Sequence, residues 1–385
     1  MINTLKKYGI LTFVIYASGS IFIMEKYYNI AIPLLLVCTI ISFFPESRMR
    51  LSKKFIPVIF FLAFLMSCTI LLNKDWHISS YIAILCQFVT AGLVATKYKY
   101  SEFKKAYTNI IFFLAIVSLV CYGIVLVYPQ FMLLFPKTEG SISMDHYNAF
   151  VYVFERAKGY NKLVAFTRNN GIFWEPGAYQ AFLNVALLYS LEKNSNEVTS
   201  NDSLKILVFI ATIITTFSVT GYIILALILI SHVDCMKRIF ALSRHKALIF
   251  FITIAIIVAA IIGTTGTLFF SEKLSYSFTS GYFIRRLYLE DLFMLANPLN
   301  WFGLSFSYYS HESANSILHT AITLGIPFTI TLLYMYYKYL RRQEKRIIFA
   351  LVLIISLSTE SLFWRPFFLC LAAYGLFDKY GIEGA

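Results

Sequence analysis

The chain has 385 residues, of which 59% are hydrophobic and only 14% are charged, and its mean hydropathy is +0.70. In soluble domains about a quarter of the residues are charged. This composition therefore excludes an ordinary soluble protein and indicates an integral membrane protein. The formal net charge of +13 does not indicate nucleic-acid binding, because most Lys and Arg residues lie in loops between apolar segments, where they orient membrane helices.

Apolar segments recur along the chain and predict about twelve membrane-spanning helices. Basic clusters follow the second, fourth, eighth and tenth segments, all on one side of the predicted topology, which the positive-inside rule makes cytoplasmic. Both termini are then cytoplasmic. We expect an all-α polytopic membrane protein that forms a single integral membrane domain over residues 1–385. The predicted spans are 8–25, 28–45, 55–73, 79–96, 107–129, 176–192, 204–218, 219–235, 247–270, 314–337, 346–361 and 363–379.

Two connections on the outward side are much longer than the others, at residues 130–175 and 271–313. Long loops in compact proteins usually carry function or are disordered. Both are rich in Tyr, Phe and Trp, a composition that argues against disorder. We therefore expect two folded lids on the outward membrane surface.

The first long loop ends in "RNNGIFWEPG", directly before a predicted span. Pro176 suits the first turn of a helix, and Glu175 then lies at the positive end of the helix dipole, which favours the ionised carboxylate. Glu175 and Trp174 are either a helix cap and an interfacial anchor or parts of a catalytic site. Arg168 has no topological task on the outward side, which favours a substrate-binding role.

The second long loop carries Arg285 and Arg286 on a predicted amphipathic helix, where at most one of the two faces a buried site. The alternative is an ion pair with Glu290 or Asp291. His311 and Asn315 follow four residues apart, on one face of the tenth predicted span.

Two further outward turns contain candidate residues. Tyr222 ends the turn "FSVTGY", in which Gly221 allows close backbone approach. Arg365 lies in "STESLFWRPF", where pairing with Glu360 is the alternative to a role in substrate binding. The chain has no P-loop, DxD, GxSxG or HExxH motif, so we expect neither a metal nor another cofactor. Charged residues are scarce within the spans, which disfavours an ion-coupled transporter.

Outward-facing Arg, Glu and His residues under aromatic lids suit a donor that is carried on a lipid, because nucleotide-activated donors are confined to the cytoplasm. Arginine can hold the diphosphate of such a donor and stabilise it as it leaves, without a metal. A carboxylate or imidazole can accept the proton of the attacking sugar hydroxyl.

The order of these motifs resembles the O-antigen polymerase and ligase superfamily of bacterial envelopes. The matching segments are "RNNGIFWEPGAY", "FSVTGY", an arginine in a long outward loop, and "NPLNWFGLSFS" followed by "ANSILHTAITLGIPF". The motifs that carry the resemblance lie within residues 165–335. The first five predicted spans resemble the superfamily only in their hydropathy.

The resemblance implies a GT-C-type glycosyltransferase of the bacterial inner membrane with its active site facing the periplasm. It would transfer a growing glycan from undecaprenyl diphosphate to the non-reducing end of another lipid-linked repeat unit. A chain-length regulator protein would be a partner, together with membrane lipids. Nucleic acid would not be a partner.

The resemblance also implies roles for individual residues. Arg168 and one of Arg285 or Arg286, preferably Arg286, would hold the diphosphate. Related ligases carry a His directly before the residue that matches Asn315, whereas this chain has Ala314 there and His311 one turn away. Glu175 and His311 are therefore both candidates for the catalytic base. Trp174, Asn315, Tyr222 and Arg365 complete the expected substrate-binding set.

Two other functions remain open. A ligase of the same superfamily would pass the glycan to lipid A-core or to a protein, but the displaced histidine and "FWEPG" favour the polymerase. A lipid-linked oligosaccharide flippase would carry charged residues inside its spans, lining a cavity, and that pattern is not found.

Overall fold

The structure is a computed structural model that describes residues 2–43, 51–138, 144–157, 168–192, 199–242, 293–308 and 315–378. The described chain is mostly helical. In chain order its helices are α1 (Ile2–Ala17), α2 (Ile21–Lys26), α3 (Tyr28–Phe43), α4 (Phe55–Asn73), α5 (Ile78–Lys97), α6 (Tyr100–Val127), α7 (Pro176–Leu191), α8 (Ser200–Thr215), α9 (Val219–Ser231), α10 (Val233–Leu242), α11 (Ser305–Tyr308), α12 (Ser316–Leu324), α13 (Ile326–Leu340), α14 (Arg346–Thr359) and α15 (Pro366–Phe377).

The chain divides into two units. The first unit comprises residues 1–110, 172–174 and 294–385, and the second comprises residues 111–171 and 175–293. Among the described residues, α4, α5 and α6 are long and apolar enough to cross a membrane. Several large apolar side chains of α4 are exposed, as expected for a lipid-facing helix (Phe60, Phe64 and Leu71). These features support a helical membrane protein.

Helix α15 is the most deeply buried helix of the first unit. It is apolar on every face, which is the pattern of a helix surrounded by protein, and it packs against α5 and α13. Gly375 permits the approach of α13, because a Cβ atom at this position would lie 2.3 Å from the Met335 carbonyl oxygen.

One end of the first unit is held together by basic residues. Lys7 pairs with Glu102 at 3.2 Å, and Arg342 pairs with Asp378 at 3.1 Å. Lys97 donates to the Ser42 carbonyl oxygen. The Tyr100 hydroxyl, at the start of α6, donates to Gln343 Oε1, just after α13, at 3.2 Å. The starts of α1 and α6 therefore lie at the same end as the ends of α3, α5, α13 and α15.

The predicted span 314–337 is not a continuous helix, which corrects the sequence-based prediction. The chain breaks at Gly325, whose φ of +93° places it between α12 and α13. The Gly303 turn lies against this break: Leu304 donates to the Ile322 carbonyl oxygen at 2.7 Å, and Ile326 to the Trp301 carbonyl oxygen at 2.8 Å. We call this junction the glycine seam.

Helix α4 is bonded to the glycine seam through its last turn. Thr69 Oγ1 donates to the Phe302 carbonyl oxygen at 2.5 Å, and Asn73 Nδ2 donates to the Gly303 carbonyl oxygen at 2.9 Å. Asp75, which is 2% exposed, accepts hydrogen bonds from the turn after α4, from α5 and from α11. Its donors are the Phe306 N–H at 3.1 Å, the His77 N–H at 3.0 Å, the Tyr81 hydroxyl at 2.8 Å and the Ser307 hydroxyl.

The second unit contains a small antiparallel sheet, which the all-α prediction did not include. Strand β2 (Met144–Asn148) pairs with β1 (Lys137–Thr138) and with β3 (Val153–Ala157). Tyr147 and Phe154 face each other across β2 and β3 and pack with Tyr122 and Met132 in one buried cluster. The aromatic composition of the first long loop thus builds a folded element, as expected, but the element is a sheet.

Helices α7, α8 and α9 complete the described core of the second unit, where α7 packs against both others. The predicted span 219–235 is two helices, because α9 ends at Ser231 and α10 begins at Val233. The predicted span 247–270 lies outside the described residues.

Candidate functional site

The first group of candidate residues surrounds Arg365 in the first unit. This arginine is 8% exposed, and its guanidinium carbon lies 4.9 Å from the ring centroid of Trp364, 5.4 Å from that of Trp174 and 5.8 Å from that of Tyr28. Aromatic faces attract a cation and stack on the flat guanidinium. We call this arrangement the Arg365 cage.

Local structure fixes the position of Arg365. It is the residue before Pro366, which starts α15, and its Nε donates to the Ser361 carbonyl oxygen at 3.1 Å. The following backbone is tied to the end of α1, because the Phe367 N–H donates to Ser18 Oγ at 2.7 Å. The guanidinium is thus held in place by its own turn and by a neighbouring helix.

Trp174 reaches the cage because residues 172–174 are bonded to the turn between α1 and α2. The Ile21 N–H donates to the Ile172 carbonyl oxygen at 3.1 Å, and Ser20 and Phe173 form an isolated antiparallel bridge. A Cβ atom at Gly19 would lie 2.4 Å from the indole of Trp174. Glycine at this position is therefore required for the tryptophan to sit against the turn.

Two residues of α12 belong to the same unit. Half-buried His319 lies within electrostatic reach of Arg365. Asn315 caps the helix, since its Oδ1 accepts the Leu318 N–H at 3.1 Å. The structure thus gives Asn315 a structural task, and its predicted contact with substrate stays a prediction. His319 was not among the sequence candidates, because a histidine inside an apolar segment gives no local signal of a charged neighbour.

The second group surrounds the loop from Arg168 to Gly171 in the second unit. Asn169 holds this loop: its Nδ2 donates to Thr215 Oγ1 at 2.9 Å and to Ser118 Oγ at 3.2 Å, and its Oδ1 accepts the Gly171 N–H at 3.1 Å. Ser118 Oγ is also bonded to the Tyr179 hydroxyl at 3.0 Å. Asn169 thus connects this loop, which we call the motif loop, to α6 and α8, and Ser118 extends the connection to α7.

Gly171 is required in this loop. Its φ is +57°, and a Cβ atom there would lie 2.8 Å from the ring of Tyr179. A residue with a side chain would be strained in the left-handed region and would collide with the tyrosine. The glycine of "RNNG" therefore has a structural explanation.

Arg168 begins the motif loop, and Glu175 lies four residues after its last residue, Gly171; both are half-buried. Glu175 is the N-cap residue of α7, but its carboxylate does not accept a capping hydrogen bond. The structure therefore does not show the capping hydrogen bond that one of the two predicted roles of Glu175 requires. Glu175 does lie at the positive end of the dipole of α7, as predicted. Both predicted roles of these residues stay predictions.

Tyr222 has a structural partner. Its hydroxyl donates to the Ile214 carbonyl oxygen at 2.7 Å and so ties α9 to the end of α8. Gly221 lies against α7, because a Cβ atom there would come within 3.1 Å of the Gln180 side chain. The atoms nearest to Gly221 thus belong to a side chain of α7, and the close backbone approach expected there stays a prediction.

Three sequence candidates, Arg285, Arg286 and His311, lie outside the described residues. Within the ranges that the structure describes, no three His, Cys, Asp or Glu side chains are grouped so that they could hold a metal ion. Comparisons with protein families, with curated proteins and with solved structures give no match for this chain.

Proposed function

We propose that this protein is a membrane glycosyltransferase that polymerises lipid-linked repeat units of a bacterial surface glycan, as an O-antigen polymerase does. The observation that carries the proposal is the Arg365 cage. A permanently charged, planar guanidinium is held almost out of water by three aromatic rings in the first unit. Such a group is suited to bind a diphosphate through paired N–H donors.

The chemistry follows from that arrangement. Arg365 would bind the diphosphate of the donor lipid and stabilise the negative charge that develops as the bond to the sugar breaks. The rings around it would keep water away and strengthen the ionic contact. On the sequence argument, Arg168 and Arg286 would contribute further positive charge, and Glu175 or His311 would accept the proton of the attacking hydroxyl.

The remaining features are consistent with this activity. The donor and acceptor would be undecaprenyl-diphosphate-linked oligosaccharides in the inner membrane, and a chain-length regulator would be a protein partner. The basic end of the first unit would face the cytoplasm, so that the opposite end, which carries Arg365, would face the periplasm.

The experiment is complementation of a deletion strain, with lipopolysaccharide separated on a silver-stained gel. The variants are Arg365→Ala and Arg365→Lys, which keeps the charge but removes the planar fork. The matched control is Arg341→Ala, because Arg341 also lies over a tyrosine ring, 6.0 Å from that of Tyr337, but at the basic end.

We expect the deletion and both Arg365 variants to give lipopolysaccharide with a single repeat unit, and the control to give the full ladder. Core without any repeat in the deletion strain would contradict the proposal and indicate the ligase or the flippase. Long lipid-linked polymer would then identify the ligase, and single lipid-linked units on the cytoplasmic side would identify the flippase. A full ladder from Arg365→Ala would remove Arg365 from the mechanism.

A further inference from the structure

Among the described residues of the second unit, two fully buried polar side chains have no hydrogen-bond partner at any polar atom. Asn170 is 0% exposed, and neither its Nδ2 nor its Oδ1 is bonded. Tyr122 is 1% exposed, and its hydroxyl is equally without a partner. Buried polar groups are nearly always bonded in folded proteins, because leaving one unbonded costs free energy. Each of these two groups therefore requires an explanation.

The neighbouring asparagine provides the comparison. Asn169 is also 0% exposed, yet its amide bonds to Ser118, Thr215 and Gly171. The same loop thus satisfies one asparagine fully and leaves the next one unbonded. Four other side chains in the described part of this unit lack a partner at one buried atom only, whereas Asn170 lacks a partner at both of its polar atoms. Asn170 is therefore suited to a partner that is not part of the chain.

The surroundings of the two groups are aromatic. Tyr122 belongs to the buried cluster that includes Tyr152, with Phe217 packed against it. The residue after Tyr152 joins this cluster to the motif loop, since the Val153 N–H donates to the Gly171 carbonyl oxygen at 2.7 Å. Asn170 directly precedes that glycine and follows Asn169, whose side chain bonds to Ser118, one helical turn before Tyr122 on α6. The backbone of Asn170 therefore lies next to the aromatic cluster.

We propose that Asn170 and Tyr122 bind a sugar ring of the lipid-linked repeat unit. An amide offers donors and an acceptor, and a phenol offers one of each, which matches the hydroxyl or acetamido groups of a sugar. Aromatic side chains suit the apolar face of such a ring. A phosphate is bound more strongly by charged donors, and neither Asn170 nor Tyr122 supplies one. This inference rests on the proposed function and adds a glycan subsite in the second unit.

The test uses the purified full-length protein in liposomes with lipid-linked repeat units extracted from the deletion strain. The variants are Asn170→Leu, which is similar in volume but apolar, and Tyr122→Phe, which loses only the unbonded hydroxyl. The matched control is Asn169→Leu. Thermal unfolding and the KM for the lipid-linked substrate are measured for each protein.

We expect Asn170→Leu and Tyr122→Phe to unfold at the same temperature as the wild type or higher, since each removes an unbonded polar group from the interior. We expect their KM to rise at least tenfold. Asn169→Leu should unfold at a lower temperature. An unchanged KM for both variants would overturn the subsite, as would a fall in unfolding temperature for Asn170→Leu equal to that of the control.

A binding measurement separates failure of the subsite from failure of the proposed function. The probe is the repeat-unit oligosaccharide released from the host's lipid-linked intermediate by mild acid. If the wild type makes no polymer but binds this probe, and Asn170→Leu does not, the subsite stands and the polymerase proposal falls. If all four proteins bind the probe equally, the subsite falls, whatever the activity.

Discussion

Asp75 illustrates how much one carboxylate can hold in place. Burial acts to raise the pKa of its carboxyl, but the hydrogen bonds from Ser307, His77 and Tyr81 outweigh this effect and hold the pKa well below its usual range. The residue therefore stays ionised, and as an ion it accepts stronger hydrogen bonds than a neutral group would. It fixes the turn after α4 to the backbone of α11.

The lowered pKa of the Asp75 carboxyl makes the stability of the folded protein depend on pH. A folded state in which Asp75 has a lower pKa than the unfolded value of about 3.9 binds fewer protons than the unfolded chain. The contribution is therefore complete above that value and is lost as the pH falls toward the folded pKa. Asp75→Asn should lower the free energy of unfolding at neutral pH by about 2 kcal/mol, because it removes charged hydrogen bonds.

Melting of the purified protein, followed by tryptophan fluorescence from pH 7 to pH 3, measures this effect. The difference between wild type and Asp75→Asn should shrink in acid. Asp234→Asn is the control, since the Asp234 side chain is 85% exposed, and it should melt as the wild type does at neutral pH. A difference that grows as the pH falls would contradict the assignment.

Single candidate residues were predicted unequally well. Glu175 and Asn315 lie at helix starts, as expected, because a proline or a polar cap next to an apolar run is a local signal. The surroundings of Arg365 were not predictable, because Trp174 and Tyr28 come from distant parts of the chain. Asn170 was missed because adjacent asparagines before a glycine are typical of an ordinary turn.

At the scale of elements, the bounds of two helices followed closely from hydropathy, whereas the predicted span 8–25 is α1 and α2, and α6 begins seven residues before the predicted span 107–129. The predicted span 55–73 is α4 itself, and the predicted span 79–96 differs from α5 by one residue at each end. A long apolar run must satisfy its backbone internally, so its length determines the helix. The break at Gly325 and the sheet at residues 137–157 depend instead on contacts with remote backbone, for which a hydropathy pattern gives no signal.

The glycine seam makes a prediction about its two glycines. A Cβ atom at Gly303 would lie 2.5 Å from the Thr323 carbonyl oxygen, and the φ of Gly303 is +90°. Gly303→Ala should therefore destabilise the protein by roughly 2–3 kcal/mol, from strain and from separation of the two backbone segments. Thermal unfolding in detergent is the measurement.

Gly9→Ala provides the comparison for that variant. Gly9 lies inside α1, and a Cβ atom there would meet nothing within 4 Å. Alanine is favoured over glycine in a helix by roughly 0.5–1 kcal/mol, so this variant should be at least as stable as the wild type. Equal melting of Gly303→Ala and Gly9→Ala would refute the argument for the seam.

At the scale of the whole molecule, the basic end of the first unit determines the expected orientation. Lys53 and Lys54 precede α4, and the ion pairs of Lys7 and Arg342 lie at the same end of their helices. Positive charge is retained on the cytoplasmic side during insertion. The start of α4 should therefore be cytoplasmic and its end periplasmic.

Cysteine labelling on both sides of α4 tests this orientation. Lys54 and Lys74 flank the helix, and both are exposed. In intact cells a membrane-impermeant maleimide should label Lys74→Cys and not Lys54→Cys, and Lys54→Cys should react after the inner membrane is opened. The unaltered protein gives the background of the native thiols. The reverse pattern of labelling would place the basic end outside.

The bonds from α4 to the glycine seam also bear on how the protein is made. Thr69 and Phe302 are 233 residues apart, and Asn73 and Gly303 are 230 apart. At roughly 5–20 residues per second, α4 is synthesised roughly 12 to 47 seconds before its partners. During that time Thr69 and Asn73 in the last turn of α4 lack their hydrogen-bond partners in the glycine seam. Nascent chains truncated before residue 302 should therefore be the ones that membrane quality-control proteases recognise.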